Sequence, residues 1–177
     1  MIRFAKLEEK HLELVMSWRA NPEVAKHMFT DIEQDIEKQR TWFHKISLDD
    51  SYRYWVILYN EIPIGLVNLA EIDWKNRRCT AGYYIGDMSY RSLGGVIPPY
   101  LYNYVFKVLK FKKIYGEVIA ENANILKIHE LHGYRQVGVC KEHVLKDGHF
   151  HDVIFIELLA DSWLEKKRYQ RDIVQFD

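Results

Sequence analysis

The sequence predicts an α/β (α+β) fold with one mixed central sheet of about seven strands, flanked by about four helices. Segments rich in β-branched and aromatic residues alternate with segments whose apolar residues recur at helical spacing. The length of 177 residues and the apolar content of 48% also allow one domain with a substantial core, and leave too little chain for two. We therefore expect a single domain over residues 1–163 and a charged tail over residues 164–177.

The first half of the chain predicts a strand, two helices and a three-strand meander. The first helix carries an inner stripe of Leu12, Val15, Met16 and Arg19. The connections between the next three strands are short, which favours antiparallel pairing. The expected elements are a strand over 2–7, helices over 9–20 and 32–49, and strands over 52–59, 64–73 and 78–85.

The second half alternates between helix and strand and ends in a hairpin. Ile97, Leu101, Val105 and Val108 mark one face of a helix. Gly133 is expected to end the next helix. The expected elements are helices over 97–108 and 122–132, strands over 113–119, 135–145 and 150–159, and a loose, charged segment from residue 160.

Composition excludes several classes of partner. Basic and acidic residues number 25 each, so the formal net charge is zero and no overall field attracts nucleic acid or an anionic membrane. Two cysteines do not make a disulfide framework, and we find neither a leader pattern nor a long apolar run. We expect a cytoplasmic protein without nucleic-acid or membrane partners, for which a homodimer is one possible assembly.

A basic turn containing glycine stands between the fourth strand and the next helix. Arg91 and the unpaired backbone N–H groups of residues 92–96 are expected where that helix begins. Backbone N–H groups at a helix start can hold a pyrophosphate without a metal. The turn therefore indicates a phosphate-containing ligand.

This order of parts resembles the GNAT N-acetyltransferases over residues 2–163. Arg91 and Gly94 match the family's loop pattern, whereas Val96 occupies its second small position. The resemblance implies that the central strands splay apart near Tyr84 and Glu117 and that acetyl-CoA, the co-substrate, lies in the gap. The implied cofactor contacts are Tyr84, Ile85, Gly86, Arg91, Ser92, Leu93, Gly94, Gly95, Val96, Asn122 and Asn124.

Within that family, the chain is most similar to the nucleotide-sugar N-acetyltransferases of the pseudaminic-acid pathway. Its loop and helix over residues 91–106 look shorter than in the ribosomal-protein acetyltransferases. The resemblance implies acetylation of the 4-amino group of a UDP-linked 4-amino-4,6-dideoxy sugar. The matching motifs are Trp18-Arg19-x-Asn21-Pro22-Glu23-Val24, His27-Met28-Phe29-Thr30, Tyr54-Trp55 ahead of Pro63-Ile64-Gly65, Lys127-Ile128-His129-Glu130-x-x-Gly133-Tyr134 and Lys146-Asp147-Gly148-x-Phe150-x-Asp152-Val153.

Direct attack of an amine on a thioester needs an oxyanion donor, a proton donor for the thiolate and a base. Backbone N–H groups near residues 84–86 are the candidate oxyanion donors. His129 occupies the position at which most of the family has a proton-donating tyrosine, and an imidazolium could act near neutral pH. Glu117 borders the gap and is the candidate base, through a water. Both residues also have a structural alternative. His129 could be a packed or capping histidine, and Glu117 could be a carboxylate paired with a lysine.

Five residues are candidates for acceptor binding. Arg19 either covers the core with its stem or reaches the sugar nucleotide. Met28 and Phe29 either clamp a uracil ring or fill the core, and Asn68 and Glu71 either line the sugar pocket or face solvent. Three histidines around the last hairpin, His143, His149 and His151, lack a fourth ligand at structural spacing, so we expect no metal.

Two other functions remain open from the sequence. One is an acetyltransferase for protein N-termini, as in the ribosomal-protein branch, although the first 50 residues offer mixed charge instead of an acidic peptide groove. The other is a non-catalytic domain that binds acyl-CoA. His129 and the intact turn over residues 91–95 argue against the second.

Overall fold

The strands form one sheet in the computed structural model, which describes residues 1–26, 28–30, 32–170 and 176–177. Their bounds lie close to those expected from the sequence, so the mixed fold is confirmed. The strands are β1 Ile2–Lys6, β2 Arg53–Tyr59, β3 Ile62–Asp73, β4 Arg78–Ile85, β5 Lys113–Ile119, β6 Arg135–Lys146 and β7 His149–Leu159. Their order in the sheet is β1-β2-β3-β4-β5-β7-β6.

Pairing is antiparallel between all neighbouring strands except β4 and β5, which are parallel. Two tight turns fix the registers of the hairpins that they close. Asn60 and Glu61 have φ of 49° and 65°, and Asp147 and Gly148 have φ of 50° and 76°. Positive φ at both central residues is typical of the hairpin turn whose twist matches that of the strands. The expected meander is thus confirmed.

The helices begin and end at residues with recognisable capping chemistry. The Asn21 side chain accepts a hydrogen bond from the Glu23 N–H, and Gly133 ends its helix with φ of 96°. No helix among the described residues is long and apolar enough to cross a membrane. The helices are α1 Leu12–Ala20, α2 Pro22–Ala25, α3 Ile36–Ser47, α4 Pro98–Asn103, α5 Ala123–His132 and α6 Ala160–Leu164.

The expected start of the second long helix is wrong. It was placed at Ile32, but α3 begins at Ile36 because the Asp35 carboxylate accepts hydrogen bonds from the N–H groups of Glu37 and Lys38. An aspartate in this position satisfies donors that a helix cannot satisfy internally. Ile32 therefore belongs to the connection that leads into the helix.

The expected apolar face over residues 97–108 is also partly wrong. Ile97, Leu101 and Val105 are fully buried, but Val108 is 57% exposed. After α4 the chain continues as a π-helix over Tyr104–Val108. The wider turn adds a residue and shifts the phase of the helical face, so the spacing that holds as far as Val105 fails one turn later.

The two faces of the sheet carry separate apolar clusters. We call the face covered by α1 and α3 the α1 face; its buried residues are Leu7, Val15, Trp18, Ile46, Val56, Leu58 and Leu66. The opposite face, the α4 face, carries the larger cluster, which includes Ile57, Val67, Leu69, Ile97, Leu101 and Val105. Residues paired across strands share a face, so the register assigns every strand side chain to one of the two.

The segment from residue 160 was expected to be loose, and its described part is packed instead. Trp163 has no exposed surface, and its indole N–H donates to the Asn103 side chain at 2.9 Å. Phe176 stacks on Phe4 with ring centroids 4.3 Å apart. The charged residues suggested a solvated tail, but a few aromatic side chains decide its packing because they bury large apolar areas.

His132 gives a prediction on stability. Its ring packs edge-on against Tyr102, Trp163 and Tyr169, and burial, with two nearby basic side chains, lowers its pKa from 6.5 to about 4. The unfolded chain therefore binds a proton at this residue at a pH where the folded chain does not. We expect the free energy of unfolding to fall as the pH drops from 6.5 to 4, and His132→Phe to reduce that fall, measured by urea denaturation at several pH values.

His44 provides the control, because it is exposed on α3 and is not part of the buried aromatic cluster around His132. His44→Phe should leave the pH dependence as it is. An unchanged pH dependence in His132→Phe would contradict the account.

Candidate active site

The candidate site lies where β4 and β5 separate. The two strands pair at Arg78 with Lys113, Cys79 with Ile114 and Thr80 with Tyr115. Beyond these positions both strands continue, over residues 81–85 and 116–119, and this described part shows no pairing between them. The splay near Tyr84 and Glu117 that the resemblance implied is therefore present.

Backbone N–H groups of β4 face the opening at alternate residues. The Gly86 N–H donates to the Ile64 carbonyl of β3 at 2.8 Å. Since backbone groups alternate in direction along a strand, the N–H groups of Tyr83 and Ile85 point into the opening. The expectation that the N–H groups of Tyr84 and Gly86 also face the opening is wrong. Both point toward β3, where the Gly86 N–H bonds to Ile64 and Tyr84 pairs with Leu66.

Gly86 has a packing role instead. A Cβ at this position would lie 2.2 Å from the ring of Trp18 on α1. Because a real Cβ cannot approach so closely, only glycine lets α1 lie against the end of β4. This contact sets the distance between the first helix and the opening.

The glycine-containing turn is folded more tightly than expected. Residues Met88–Gly95 form a 3-10 helix, in which N–H groups bond to carbonyls three residues back. The Val96 N–H donates to the Leu93 carbonyl at 3.0 Å, and α4 then begins with two prolines, which have no N–H. The expectation of unpaired N–H groups over residues 92–96 is therefore wrong, because the 3-10 turn satisfies these donors with its own carbonyls.

The surroundings of this turn still fit a phosphate ligand. Arg91 and Ser92 are exposed, and the structure shows no ion pair of Arg91 with any described residue. A Cβ on Gly95 would meet no atom within 4 Å, and on Gly94 only Ile85 at 3.8 Å. Neither the backbone conformation nor the packing requires glycine here, which is typical of a backbone that a ligand approaches closely.

Asn122 and Asn124 lie at the start of α5, directly after β5. The side-chain oxygen of Asn122 accepts a hydrogen bond from the Ile125 N–H at 3.4 Å and so caps the helix. Asn124 is exposed on the first turn. Both residues border the end of β5, beyond the splay.

His129 is buried on α5, only 9% exposed. Its ring lies 4.5 Å from that of Tyr134, and its Nδ1 has no hydrogen-bond partner among the described residues. Burial, with His132 nearby, lowers its pKa to about 4. The expectation of an imidazolium near neutral pH is therefore wrong, and His129 is a neutral N–H donor at pH 7.

Glu117 is exposed on β5 beyond the last residue that pairs with β4. It shares the α1 face with Tyr115, two residues earlier. No lysine or arginine of the described residues forms an ion pair with it, which removes the structural alternative raised by the sequence. Its carboxylate is therefore not bound to a basic side chain of the described residues.

Arg19 holds the loop that carries Met28 and Phe29. Its Nη2 donates to the Thr30 carbonyl at 2.7 Å. Lys146 of the last hairpin donates to the carbonyls of Ala25 and Met28 from the other side. Phe29 is 39% exposed and Met28 is half-buried.

The neighbouring His27, part of the motif that suggested this loop, lies outside the described residues. Arg19 is half-buried on α1, the helix that covers the α1 face of the sheet. The structure thus connects Arg19, one candidate for acceptor binding, to the loop that carries two further candidates, Met28 and Phe29.

Asn68 and Glu71 both reach the α1 face, by different means. Asn68 pairs with Gly82 of β4, and a Cβ at Gly82 would lie 2.5 Å from the Asn68 Oδ1, so the amide crosses over that glycine. A register shift follows Ala70, and the Glu71 carboxylate accepts a hydrogen bond from the Tyr115 hydroxyl at 2.7 Å. Without that bulge, residues three apart on a strand would point to opposite faces.

Two buried phenols near enough to Arg19 to be affected by its charge, Tyr84 and Tyr54, were not identified from the sequence. The resemblance implied a role for the backbone of Tyr84 alone, yet the Tyr84 hydroxyl is buried and has no partner among the described residues. Burial raises the pKa of Tyr54 to about 12. The alternation of β4 indicated which face Tyr84 occupies, but only the packing of α1 reveals that its hydroxyl is enclosed.

The described residues enclose two cavities, of which one borders the opening. One of about 220 Å³ lies between α2, the end of β5 and the last hairpin, and its lining includes Lys26, Ile119, Asn122, Lys146 and His151. A larger one, about 490 Å³, lies beside α3 and the chain terminus, away from the opening. In the described part of the chain, no group of three or more histidine, cysteine, aspartate or glutamate side chains could hold a metal ion.

Comparison with known proteins agrees with this geometry. The chain is 26% identical over 128 residues to the acetyltransferase PseH of Campylobacter jejuni, covering 72% of this chain and 78% of that protein. It is 24% identical over 165 residues to the uncharacterised N-acetyltransferase p20 of Bacillus licheniformis, covering 89% and 92%. The fold matches a spermidine N-acetyltransferase from Vibrio cholerae, solved with CoA and spermine, with a TM-score of 0.85, 22% identity and coverage of 92% and 98%.

The model of one protein family matches most of the chain, from residue 2 to residue 135, and its description is an acetyltransferase (GNAT) domain. The family that the motifs suggested is confirmed, and with it the enzyme class and the use of acetyl-CoA as co-substrate. This chain belongs to the GNAT family of acetyltransferases.

Proposed function

We propose that this N-acetyltransferase acetylates the 4-amino group of a UDP-linked 4-amino-4,6-dideoxy sugar. The likeness to the acetyltransferase PseH supports the proposal and agrees with the motifs of the pseudaminic-acid branch. The observation that carries it is the charge of Arg19 on the acceptor side of the opening. An acceptor with an anionic diphosphate is attracted there.

The same charge argues against a polyamine acceptor, despite the fold shared with spermidine N-acetyltransferase. Arg19 is half-buried and forms no ion pair with a carboxylate among the described residues. The Glu71 carboxylate is already bound to Tyr115. A polycation beside an unneutralised guanidinium is repelled, and the repulsion is stronger where water is partly excluded.

The proposed reaction uses groups around the opening in three roles. Glu117 takes a proton from the acceptor ammonium through a water, which leaves a neutral amine to attack the thioester carbon. The N–H groups of Tyr83 and Ile85 stabilise the oxyanion. As the C–S bond of the tetrahedral intermediate breaks, the nitrogen gives its extra proton to water. The CoA thiolate leaves with a hydrogen bond from the neutral imidazole of His129, as neutral histidines form to other developing anions.

The first experiment tests the acceptor. We expect acetyl-CoA consumption to be fastest with a UDP-4-amino sugar and much slower with the free amino sugar at subsaturating concentration, because binding of the remote nucleotide positions the amine. Spermidine, a peptide with a free N-terminus and a reaction without acceptor serve as comparisons. Equal efficiency with and without UDP would overturn the sugar-nucleotide proposal, and no consumption of acetyl-CoA with any acceptor would favour a non-catalytic binding domain.

The second experiment tests the cofactor turn. If Arg91 binds the pyrophosphate, Arg91→Ala should weaken acetyl-CoA binding by about 1 to 3 kcal/mol, the usual size for a charged hydrogen bond. Calorimetry measures the effect directly. Arg3→Ala, which removes an exposed ion pair with Glu61, is the matched control and should leave the dissociation constant unchanged. An unchanged constant in Arg91→Ala would move the pyrophosphate elsewhere.

The third experiment tests His129. His129→Ala should lower kcat by about 10- to 10,000-fold with little change in acetyl-CoA affinity, because the bond to the thiolate forms in the transition state. His129→Tyr should recover part of the rate, since a phenol can also donate. His132→Ala is the control: we expect a lower melting temperature with normal turnover of the folded enzyme.

The pH profile separates a neutral from a charged donor at His129. An imidazolium acid would lose activity as the pH rises through its pKa. Because burial lowers the pKa of His129 to about 4, we expect no such loss between pH 6 and 8. Normal turnover in His129→Ala with only a lower melting temperature would instead reduce this residue to a packing role.

A further inference from the structure

Two hydrogen-bond donors on the α1 face are buried without a partner. The Nε of Arg19 and the hydroxyl of Tyr84 are closed to solvent, and neither has a hydrogen-bond partner among the described residues. Leaving a buried donor unpaired costs free energy, and native proteins pair the great majority of such groups. Two of them together indicate a ligand that completes the site.

These donors lie in one neighbourhood. Tyr84 pairs with Leu66 across β4 and β3 and packs on the α1-face cluster, beneath the helix that carries Arg19. Burial raises the pKa of Tyr84, and the charge of Arg19 acts in the opposite direction. Arg19 acts in the same way on Tyr54. The Tyr84 phenol therefore stays protonated at neutral pH and can donate.

Their position places them beside the reacting groups. Tyr84 directly precedes Ile85, whose N–H faces the opening, so one short stretch of β4 borders both the acyl group and the α1 face. On the other side, Arg19 binds the Thr30 carbonyl through Nη2 and leaves Nε unpaired. A ligand at these donors thus lies between the opening and the loop of residues 28–30.

The chemistry of the pair selects an oxygen atom. Both groups are hydrogen-bond donors, so the ligand atom that they bind must carry a lone pair. Arg19 is also a cation with no carboxylate partner among the described residues, which excludes a cationic ligand group at this point. A 4-amino-4,6-dideoxy sugar keeps a hydroxyl on carbon 3, next to the amine. We propose that the Tyr84 hydroxyl and the Arg19 Nε together bind this neighbouring oxygen of the acceptor.

This inference rests on the proposed function and deepens it. Holding the oxygen beside the amine fixes the direction from which the nitrogen reaches the thioester carbon. Both atoms are closed to solvent, so binding of the acceptor requires the side chains around them to move. Tyr84 is then a residue that determines specificity for amines bearing a vicinal oxygen.

The test pairs two enzymes with two substrates. kcat/KM is measured for the wild type and Tyr84→Phe, each with a UDP-4-amino sugar and with its analogue lacking the hydroxyl on carbon 3. Tyr84→Phe should lower kcat/KM by about 10- to 100-fold for the parent sugar and leave that of the analogue nearly unchanged. Its acetyl-CoA dissociation constant should match that of the wild type. Tyr104→Phe removes a phenol on the opposite face and should change neither substrate.

Equal losses on both substrates, or no loss on the parent sugar, would overturn the inference. A wild type that acetylates neither sugar nucleotide would overturn the proposed function instead. The same comparison is then made with a vicinal amino alcohol and the matching alkylamine. A preference for the amino alcohol that Tyr84→Phe abolishes supports the role of Tyr84, and its absence from the wild type or persistence in the variant overturns it.

Discussion

The early end of pairing between β4 and β5 is the constraint on which the site depends. The strands share hydrogen bonds only as far as Thr80 and Tyr115 and then diverge, each held by its other neighbour. A splayed strand leaves backbone donors unsatisfied, and in β4 these belong to alternate residues. The opening is therefore a ready-made edge for an extended ligand that supplies carbonyl groups, such as the amides and the thioester of acetyl-CoA.

In the proposed site, the sheet separates the residues assigned to the cofactor from those assigned to the acceptor. The 3-10 turn with Arg91 leads into α4, whereas Arg19, Asn68 and the Tyr84 side chain lie toward the α1 face. The contact of Trp18 with Gly86 ties the two together, because it presses α1 against the end of β4. Burial also decides protonation, since it keeps His129 neutral and the phenols of Tyr54 and Tyr84 uncharged.

Element types and order could be read from the sequence because periodicity and turn residues act locally. Gly133 ends α5 where expected, and β4 and β5 have the expected bounds. Features that depend on which of several backbone hydrogen bonds forms in the folded protein could not be predicted from the sequence. The π-helix that exposes Val108 and the 3-10 turn that uses the Val96 N–H are of this kind. At the site, residue types indicated His129 and Arg19, but the low pKa of His129 and the enclosed Tyr84 hydroxyl follow from burial by distant segments, which no short motif encodes.

Amide hydrogen exchange of β4, followed by NMR with and without acetyl-CoA, tests the central claim most directly. The Ile85 N–H faces the opening, whereas the Gly86 N–H is already bonded to Ile64. We expect acetyl-CoA to slow exchange at Ile85 and to leave Gly86 unchanged, although the two amides are neighbours in sequence. Equal rates at Ile85 in both states, or protection confined to the cavity beside α3, would show that acetyl-CoA does not bind in the opening between β4 and β5.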